Sequence, residues 1–120
     1  MASILLVEDD ELVAGLFAKV LRQAGHELLT AYSGDQALEM CKQAAGNLSM
    51  VITDVVLPGM PGPEWVAMAG AELEGVPVVY ITGYSREARE EQGFDVDESH
   101  LLVKPVDIDA LLDAVDRHLS

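Results

Sequence analysis

A short, almost wholly apolar run at residues 50–57 encloses a single carboxylate, Asp54. Pro58 and Gly59 follow the run and prevent a regular element from continuing. Such a run is typical of a strand that is buried on both faces of a parallel sheet. We predict a strand over residues 50–54, with Asp54 at its carboxyl end, where open parallel sheets bind their ligands. Taken alone, the run leaves two interpretations of Asp54, a capping residue or a reactive group.

The rest of the chain alternates between short apolar runs and segments with apolar residues at helical spacing. The predicted strands are residues 3–7, 27–31, 50–54, 78–82 and 101–103. The predicted helices are residues 12–24, 35–45, 64–73, 86–92 and 107–118, with an irregular loop over residues 94–99. This alternation predicts an α/β fold, a doubly wound five-stranded parallel sheet with five helices on its two faces. Since no linker or repeat interrupts it, we expect one domain over residues 1–120.

The charge of the chain excludes several classes of partner. Its 21 acidic and 7 basic side chains give a net charge of −14, which disfavours nucleic acids and anionic membrane surfaces. No apolar stretch approaches the ~20 residues that span a bilayer, and residues 1–3 do not resemble a secretory signal, so we expect none. The single cysteine, Cys41, suits a reducing compartment and is expected to be buried. We expect a cytoplasmic protein.

Polar side chains stand at the ends of four predicted strands. Glu8 and Asp9 follow the first strand, Asp54 ends the third, Thr82 ends the fourth and Lys104 follows the fifth. All carboxyl ends of a parallel sheet lie at one edge. If the first and third strands are neighbours, three carboxylates meet there and raise one another's pKa values. A hard divalent cation such as Mg²⁺ removes that conflict.

This combination of groups suits phosphoryl transfer. A phosphoryl group attacked by Asp54 would place its oxygens against the metal ion, the Lys104 ammonium and the Thr82 hydroxyl. Each of these partners neutralises or hydrogen-bonds the charge on the transferring group. The predicted product is an aspartyl phosphate.

Four segments of the sequence resemble the receiver domain of bacterial two-component response regulators, and the resemblance covers the whole chain. The segments are ILLVEDD at 4–10, DVVLPGMPG at 54–62, ITG at 81–83 and VKP at 103–105. Each is weak alone, but the four together, in this order at strand ends, are specific. The resemblance implies a flavodoxin-like strand order, 2-1-3-4-5.

The resemblance also implies a metal site and a phosphoacceptor. Asp54 would be the phosphoacceptor and a ligand of Mg²⁺, together with Asp9 directly and Glu8 largely through a water molecule. The backbone carbonyl of Val56 would complete the protein's ligands. Such a domain catalyses its own Mg²⁺-dependent phosphorylation and slow dephosphorylation, but acts primarily in signal transduction.

Further roles follow from the same resemblance. Thr82 would swing to bind the phosphoryl oxygen, Lys104 would pair with it, and Pro105 would follow a cis peptide bond. The partner would be a histidine kinase or a histidine phosphotransfer protein of a phosphorelay. A weak homodimer is expected through the surface of the helix at 86–92, the fifth strand and the last helix.

The chain departs from the family pattern at four positions, one of which is Val106, where the family usually has phenylalanine after the proline. Leu101 stands where the family often carries an aromatic ring that turns inward on phosphorylation, so that switch is not expected here. Val56 offers no side chain to orient an attacking water, and Tyr84 is bulky enough to obstruct one. We therefore expect slow autodephosphorylation. The segment TGYS at 82–85 and the residue Leu101 resemble more closely the receivers attached to sensor kinases.

Three other functions are compatible with a fold of this type, but the sequence favours each of them less. A pseudo-receiver, which acts only as a protein-interaction module, keeps the fold but would not need all five site side chains. A hydrolase of the haloacid-dehalogenase type needs Asp-x-Asp after the first strand, where this chain has Glu8, Asp9 and Asp10. A flavin-binding protein needs a phosphate-binding loop there, and these carboxylates would repel the phosphate.

Overall fold

The computed structural model describes residues 2–44, 46–84, 91 and 96–119. Its centre is one parallel sheet of five strands in the order β2-β1-β3-β4-β5. The strands are β1 Ser3–Val7, β2 Glu27–Ala31, β3 Met50–Asp54, β4 Val78–Thr82 and β5 Leu101–Val103. The predicted strands and strand order are confirmed.

Four α-helices lie within the described part of the chain, where five were predicted for the whole. They are α1 Glu11–Gln23, α2 Gly34–Gln43, α3 Gly62–Ala69 and α4 Ile108–Leu119. Apart from residue 91, the helix predicted at 86–92 lies outside the described residues. The count of five is therefore not matched by the helices that the structure describes.

The third helix differs from its prediction at both ends. It begins at Gly62, two residues before the predicted start, because Pro63 is tolerated in the first helical turn. It ends at Ala69, and a 3₁₀ turn, Gly70–Leu73, continues it. Gly70 has φ 50°, outside the range of right-handed helix, so the regular α-helix cannot run on to residue 73 as predicted.

The loop predicted at 94–99 also needs a correction at its end. A 3₁₀ turn, Glu98–His100, leads directly into β5. The Asp97 carboxylate accepts hydrogen bonds from the backbone N–H and the hydroxyl of Ser99, both at 2.8 Å. The carbonyl of Ser99 also lies 2.6 Å from Nε2 of His118, which ties the turn to α4.

Two apolar layers cover the faces of the sheet. Side chains alternate along each strand, so Leu6 and Ile52 pack with α1 and α4, whereas Leu5 and Val51 pack with α2 and α3. Strand β3 lies between β1 and β4, and all five of its residues are buried. Asp54, the last residue of β3, therefore lies at the edge of the sheet on its most fully buried strand.

The predicted burial of Cys41 is confirmed. Cys41 is buried on α2, and burial, with the Glu72 charge adding, raises the pKa of its thiol, as suits a structural side chain. Within the described residues, every helix is too short or too polar to cross a bilayer.

Candidate functional site

The predicted carboxylates meet at the carboxyl edge of the sheet. Glu8 comes one residue after β1, Asp54 is the last residue of β3, and β1 and β3 are paired neighbours. Both side chains are almost completely enclosed, with exposed fractions of 0% for Glu8 and 1% for Asp54. Acidic side chains are rarely buried so fully unless a partner compensates them.

Three carboxylates form one cluster. One oxygen from each of Glu8, Asp9 and Asp54 lies within 4.8 Å of the other two. Both oxygens of Asp54 and Oε1 of Glu8 are buried without a hydrogen-bond partner among the described residues. Buried polar atoms without a hydrogen bond are rare, and a bound ion or a catalytic role is among their common explanations. An all-oxygen set with unpartnered atoms fits a hard divalent cation, so these residues suit the metal that the sequence predicted.

Lys104 supplies the counter-charge of the cluster. Its Nζ lies 3.5 Å from Oδ1 of Asp54 and 3.6 Å from Oε1 of Glu8, and its side chain is 44% exposed. Burial lowers the pKa of Lys104, but the charges of Asp54 and Glu8 outweigh that effect and raise it above the ordinary value. One ammonium against three carboxylates leaves an excess of two negative charges when all are ionised, which a divalent cation would balance.

The environment of Asp54 strongly favours its neutral form when no metal is bound. Burial raises the pKa of Asp54 to about 9, and the charge of the adjacent Glu8 carboxylate adds to the shift. The ammonium of Lys104 acts in the opposite direction. A bound cation or an incoming electrophile would therefore compete with a proton for the Asp54 oxygens.

Thr82 is placed at the same edge but is not bonded to Asp54. It is buried at the end of β4, and its Oγ1 accepts a hydrogen bond from the backbone N–H of Tyr84 at 3.0 Å. The backbone N–H of Lys104 donates to the carbonyl of Thr82 at 2.8 Å, which holds the ends of β4 and β5 together. The peptide bond between Lys104 and Pro105 is cis, as predicted.

Val56 and Asp10 lie in the segments that follow β3 and β1, the two strands next to the cluster. Val56 is 60% exposed at the start of the loop after β3. Asp10 caps α1, since its Oδ1 accepts from the backbone N–H of Leu12 at 3.0 Å and of Val13 at 3.3 Å. The backbone N–H of Asp10 in turn donates to Oε2 of Glu8 at 3.1 Å. The capped helix start therefore also orients one of the cluster's carboxylates.

Close backbone packing around the loop at 58–61 was not predicted from the sequence. A Cβ added to Gly34, at the start of α2, would overlap the carbonyl oxygen of Met60. A Cβ added to Gly62, at the start of α3, would overlap the carbonyl oxygen of Asp54. The loop is thus enclosed between two helix starts that only glycine allows to approach so closely. The glycine eight residues after Asp54 was the one sequence signal of this contact.

A hydrogen bond beneath the site was missed as well. Trp65, on α3, is fully buried. Its Nε1–H donates to Oγ1 of Thr53 at 3.1 Å, and the Thr53 hydroxyl donates to the carbonyl of Asp54 at 3.0 Å. Nothing in the one-dimensional pattern distinguishes this indole from an ordinary core ring.

The sequence matches a known family over most of its length. Residues 4–116 match the protein-family model described as the response regulator receiver domain. The chain is 34% identical over 117 residues to the response regulator protein FleR of Pseudomonas aeruginosa, covering 98% of this chain and 24% of that protein. It is 31% identical over 87 residues to the sensor kinase CckA of Brucella abortus, covering 72% of this chain and 9% of that protein. The chain thus spans a quarter or less of these relatives.

Solved structures show the same likeness in three dimensions. The receiver domain of a hybrid histidine kinase CckA has a TM-score of 0.84 at 34% identity, covering 98% of this chain and 99% of that one. The chemotaxis response regulator CheY4 of Vibrio cholerae has a TM-score of 0.86 at 29% identity, covering 99% of both chains. Relatives of both kinds, response regulators and a sensor kinase, are therefore similar to this chain.

Proposed function

Because the chain belongs to the family of response regulator receiver domains, we propose that Asp54 accepts a phosphoryl group from a phosphohistidine of a partner protein. The observation that carries the proposal is the Asp54 carboxylate itself. It is buried, both oxygens lack hydrogen-bond partners among the described residues, and the carboxylates of Glu8 and Asp9 and the ammonium of Lys104 lie close to it. The partner would be a histidine kinase or a histidine phosphotransfer protein of a two-component system.

The proposed reaction is a transfer of one phosphoryl group. An oxygen of Asp54 attacks phosphorus, the new O–P bond forms as the P–N bond breaks, and the bonding electrons leave with the imidazole nitrogen of the partner. Lys104 is already within 3.5 Å of the reacting carboxylate and would pair with a phosphoryl oxygen. Thr82 would exchange its hydrogen bond from Tyr84 for one to the phosphoryl group.

Mg²⁺ is the cation we propose for the cluster. Its ligands would be Asp54 and Asp9 directly, Glu8 largely through water, and the backbone carbonyl of Val56. When bound, the ion would neutralise charge on the transferring phosphoryl oxygens. Glu8 and Asp54 are already held within one cluster with unpartnered oxygens, so little rearrangement of these side chains would be required.

An apolar pair on α1 supports docking of a protein partner beside this site. Leu12 and Leu16 are 86% and 51% exposed, and they lie four residues apart on one face of the helix. The helix begins two residues after Asp9, so this pair borders the acidic cluster. Neighbouring exposed apolar side chains, unlike single ones, are typical of a surface that another protein covers.

The wider setting is also part of the proposal. We place the protein in the cytoplasm, with one receiver domain spanning residues 1–120. The homodimer predicted through the surface at 86–92, β5 and α4 stays a prediction, since most of the first segment lies outside the described residues.

The function is tested by incubating the purified chain with acetyl phosphate and Mg²⁺ and measuring its intact mass. We expect a gain of one phosphoryl group in the wild type and none in Asp54→Asn. Omitting Mg²⁺ should abolish the gain. A wild-type chain that gains nothing at any Mg²⁺ concentration would instead support the pseudo-receiver, which acts through protein contacts alone.

A further inference from the structure

A one-way hydrogen-bond chain runs from α3 to the backbone of Asp54. The indole N–H of Trp65 donates to Thr53 Oγ1 at 3.1 Å, and Thr53 donates to the carbonyl of Asp54 at 3.0 Å. The indole N–H can only donate, so the Thr53 oxygen accepts that bond. The Asp54 carbonyl can only accept, so the Thr53 hydroxyl donates its proton to it. Trp65 and Thr53 are both fully buried, so water cannot replace either partner at small cost.

This chain holds the peptide group that follows Asp54. Its carbonyl end accepts from Thr53, and its N–H end, on Val55, donates to the carbonyl of Ile81 on β4 at 2.9 Å. With both ends bonded, the peptide plane cannot rotate. The next carbonyl, that of Val55, accepts from the N–H of Gly62 at 2.8 Å. The backbone from Asp54 to Val56 is therefore pinned at three successive points.

We propose that Thr53 and Trp65 are positioning residues for the metal centre. By fixing the peptide after Asp54, they set the direction of its carboxylate and of the Val56 carbonyl toward the bound cation. This inference rests on the proposed function, because it concerns the same site. Neither residue touches the phosphoryl group or the metal; both act through the main chain, as the partners behind metal ligands commonly do.

The chain's composition supplies a probe of this connection. Trp65 is the only tryptophan, so the fluorescence of the protein reports on this one ring. The indole is two hydrogen bonds away from the backbone of Asp54, so a change in the charge or bonding of that residue alters the surroundings of the ring. The emission of Trp65 should therefore respond to the state of the site.

The test compares Mg²⁺ binding and Trp65 emission in the wild type, Thr53→Val and Thr53→Ser. Valine keeps the shape of the side chain but removes the hydroxyl, whereas serine keeps the hydroxyl. Thr30→Val, on the edge strand β2, is the matched control. Mg²⁺ affinity is measured by calorimetric titration, and emission is followed on adding Mg²⁺ with beryllium fluoride, a tetrahedral analogue of a phosphoryl group.

We expect Thr53→Val to weaken Mg²⁺ binding about tenfold, the low end for loss of a partner behind a ligand. Thr53→Ser and Thr30→Val should bind Mg²⁺ as the wild type does. The emission change should be present in the wild type and in Thr53→Ser and absent in Thr53→Val. A Thr53→Val protein that melts earlier but binds Mg²⁺ with unchanged affinity would overturn the inference, because that result indicates a role in stability alone.

Trp65→Phe provides a second route if Thr53→Val does not fold. It removes the indole donor but keeps a buried ring, and it should also weaken Mg²⁺ binding; unchanged affinity would refute the inference. The two proposals fail differently. A wild type that is phosphorylated and binds Mg²⁺, beside variants that match it, keeps the proposed function and removes only the positioning role. A wild type that does not bind Mg²⁺ removes both.

Discussion

Lys104 and Asp54 face each other across the sheet edge, and one of them is enclosed while the other is half exposed. The ammonium lies 3.5 Å from the Asp54 carboxylate, and the exposed fractions are 44% and 1%. The Lys104 ammonium is therefore accessible from solvent, whereas the Asp54 carboxyl group is enclosed. The accessible lysine is the group expected to pair with an incoming phosphoryl group.

Removing the Lys104 charge should destabilise the metal-free protein. The pKa of Lys104 is raised on folding, so its contribution is fully present below the unfolded value of 10.5 and is lost as pH rises through the folded value. Because the side chain is partly solvated, we expect Lys104→Gln to lower the free energy of unfolding by only about 1 kcal/mol near neutral pH. Urea unfolding at several pH values measures this.

The matched control for Lys104 is Lys19→Gln, an exposed lysine of α1. It should change the free energy of unfolding little at any pH. Equal losses in the two variants would contradict a stabilising role of the Lys104 charge beside the carboxylate cluster. Phosphorylation by acetyl phosphate should be slowed in Lys104→Gln and not in Lys19→Gln.

The pKa of Asp54, raised to about 9, predicts that its charge opposes folding in the absence of metal. Below that value the folded state keeps a proton that the unfolded state, with a pKa of 3.8, has already lost. Stability should therefore fall as pH rises from 3.8 toward 9. Asp54→Asn should remove this dependence and raise the melting temperature near neutral pH, by about 4 °C for each kcal/mol gained.

The same proton should compete with Mg²⁺. Binding of the cation needs the Asp54 carboxylate, so the affinity for Mg²⁺ should rise with pH below about 9, by up to about tenfold per pH unit. Calorimetric titrations in buffers of different ionisation enthalpy would count the protons released. An affinity that does not change with pH would show that Asp54 is already ionised.

Glycine at position 34 should be indispensable for stability, whereas glycine at position 15 should not. A Cβ at Gly34 would overlap the Met60 carbonyl, so Gly34→Ala should destabilise the protein by roughly 1–3 kcal/mol, as overpacking does. A Cβ at Gly15, inside α1, has no neighbour within 4 Å. Gly15→Ala should therefore stabilise the protein by roughly 0.5–1 kcal/mol through helix propensity. Chemical denaturation compares the two.

Phosphorylated Asp54 should hydrolyse slowly, because Val56 presents only an apolar side chain to the solvent. Val56→Asn would supply an amide that can orient an attacking water, and we expect hydrolysis roughly tenfold faster, below the effect of an ideally placed catalytic group. Loss of the phosphoryl group is followed by intact mass. Val56→Leu is the control and should keep the slow rate; a wild-type half-life of a few seconds would contradict the prediction.

The strands and the charged cluster were predictable because each depends on a local pattern. A buried parallel strand must be apolar along its length, and a polar group just beyond it marks the sheet edge, as at Glu8, Asp54 and Lys104. The helix ends were less predictable. The end of α3 depends on the positive φ of Gly70, and the turn before β5 depends on the Asp97 carboxylate bonding to Ser99. Neither the end of α3 nor the turn before β5 follows from the apolar pattern of the sequence.

The contacts around the loop could not be predicted, because they join residues distant in sequence. Thr53 and Trp65 stand twelve positions apart, and their bond depends on how α3 is seated on the sheet. Gly34 and Met60 meet only because α2 and the loop converge on one edge. Such contacts need the packed structure, where a fraction of an ångström decides which residue fits.

The packing of Gly34 on Met60 limits how this loop can be transplanted. A receiver that borrowed residues 58–61 from this chain would also need a residue without a side chain at the start of its second helix. Conversely, a loop whose backbone lay farther from the start of the second helix would allow other residues at the position of Gly34. The loop and the start of the second helix are distant in the sequence. They would nevertheless have to be exchanged together.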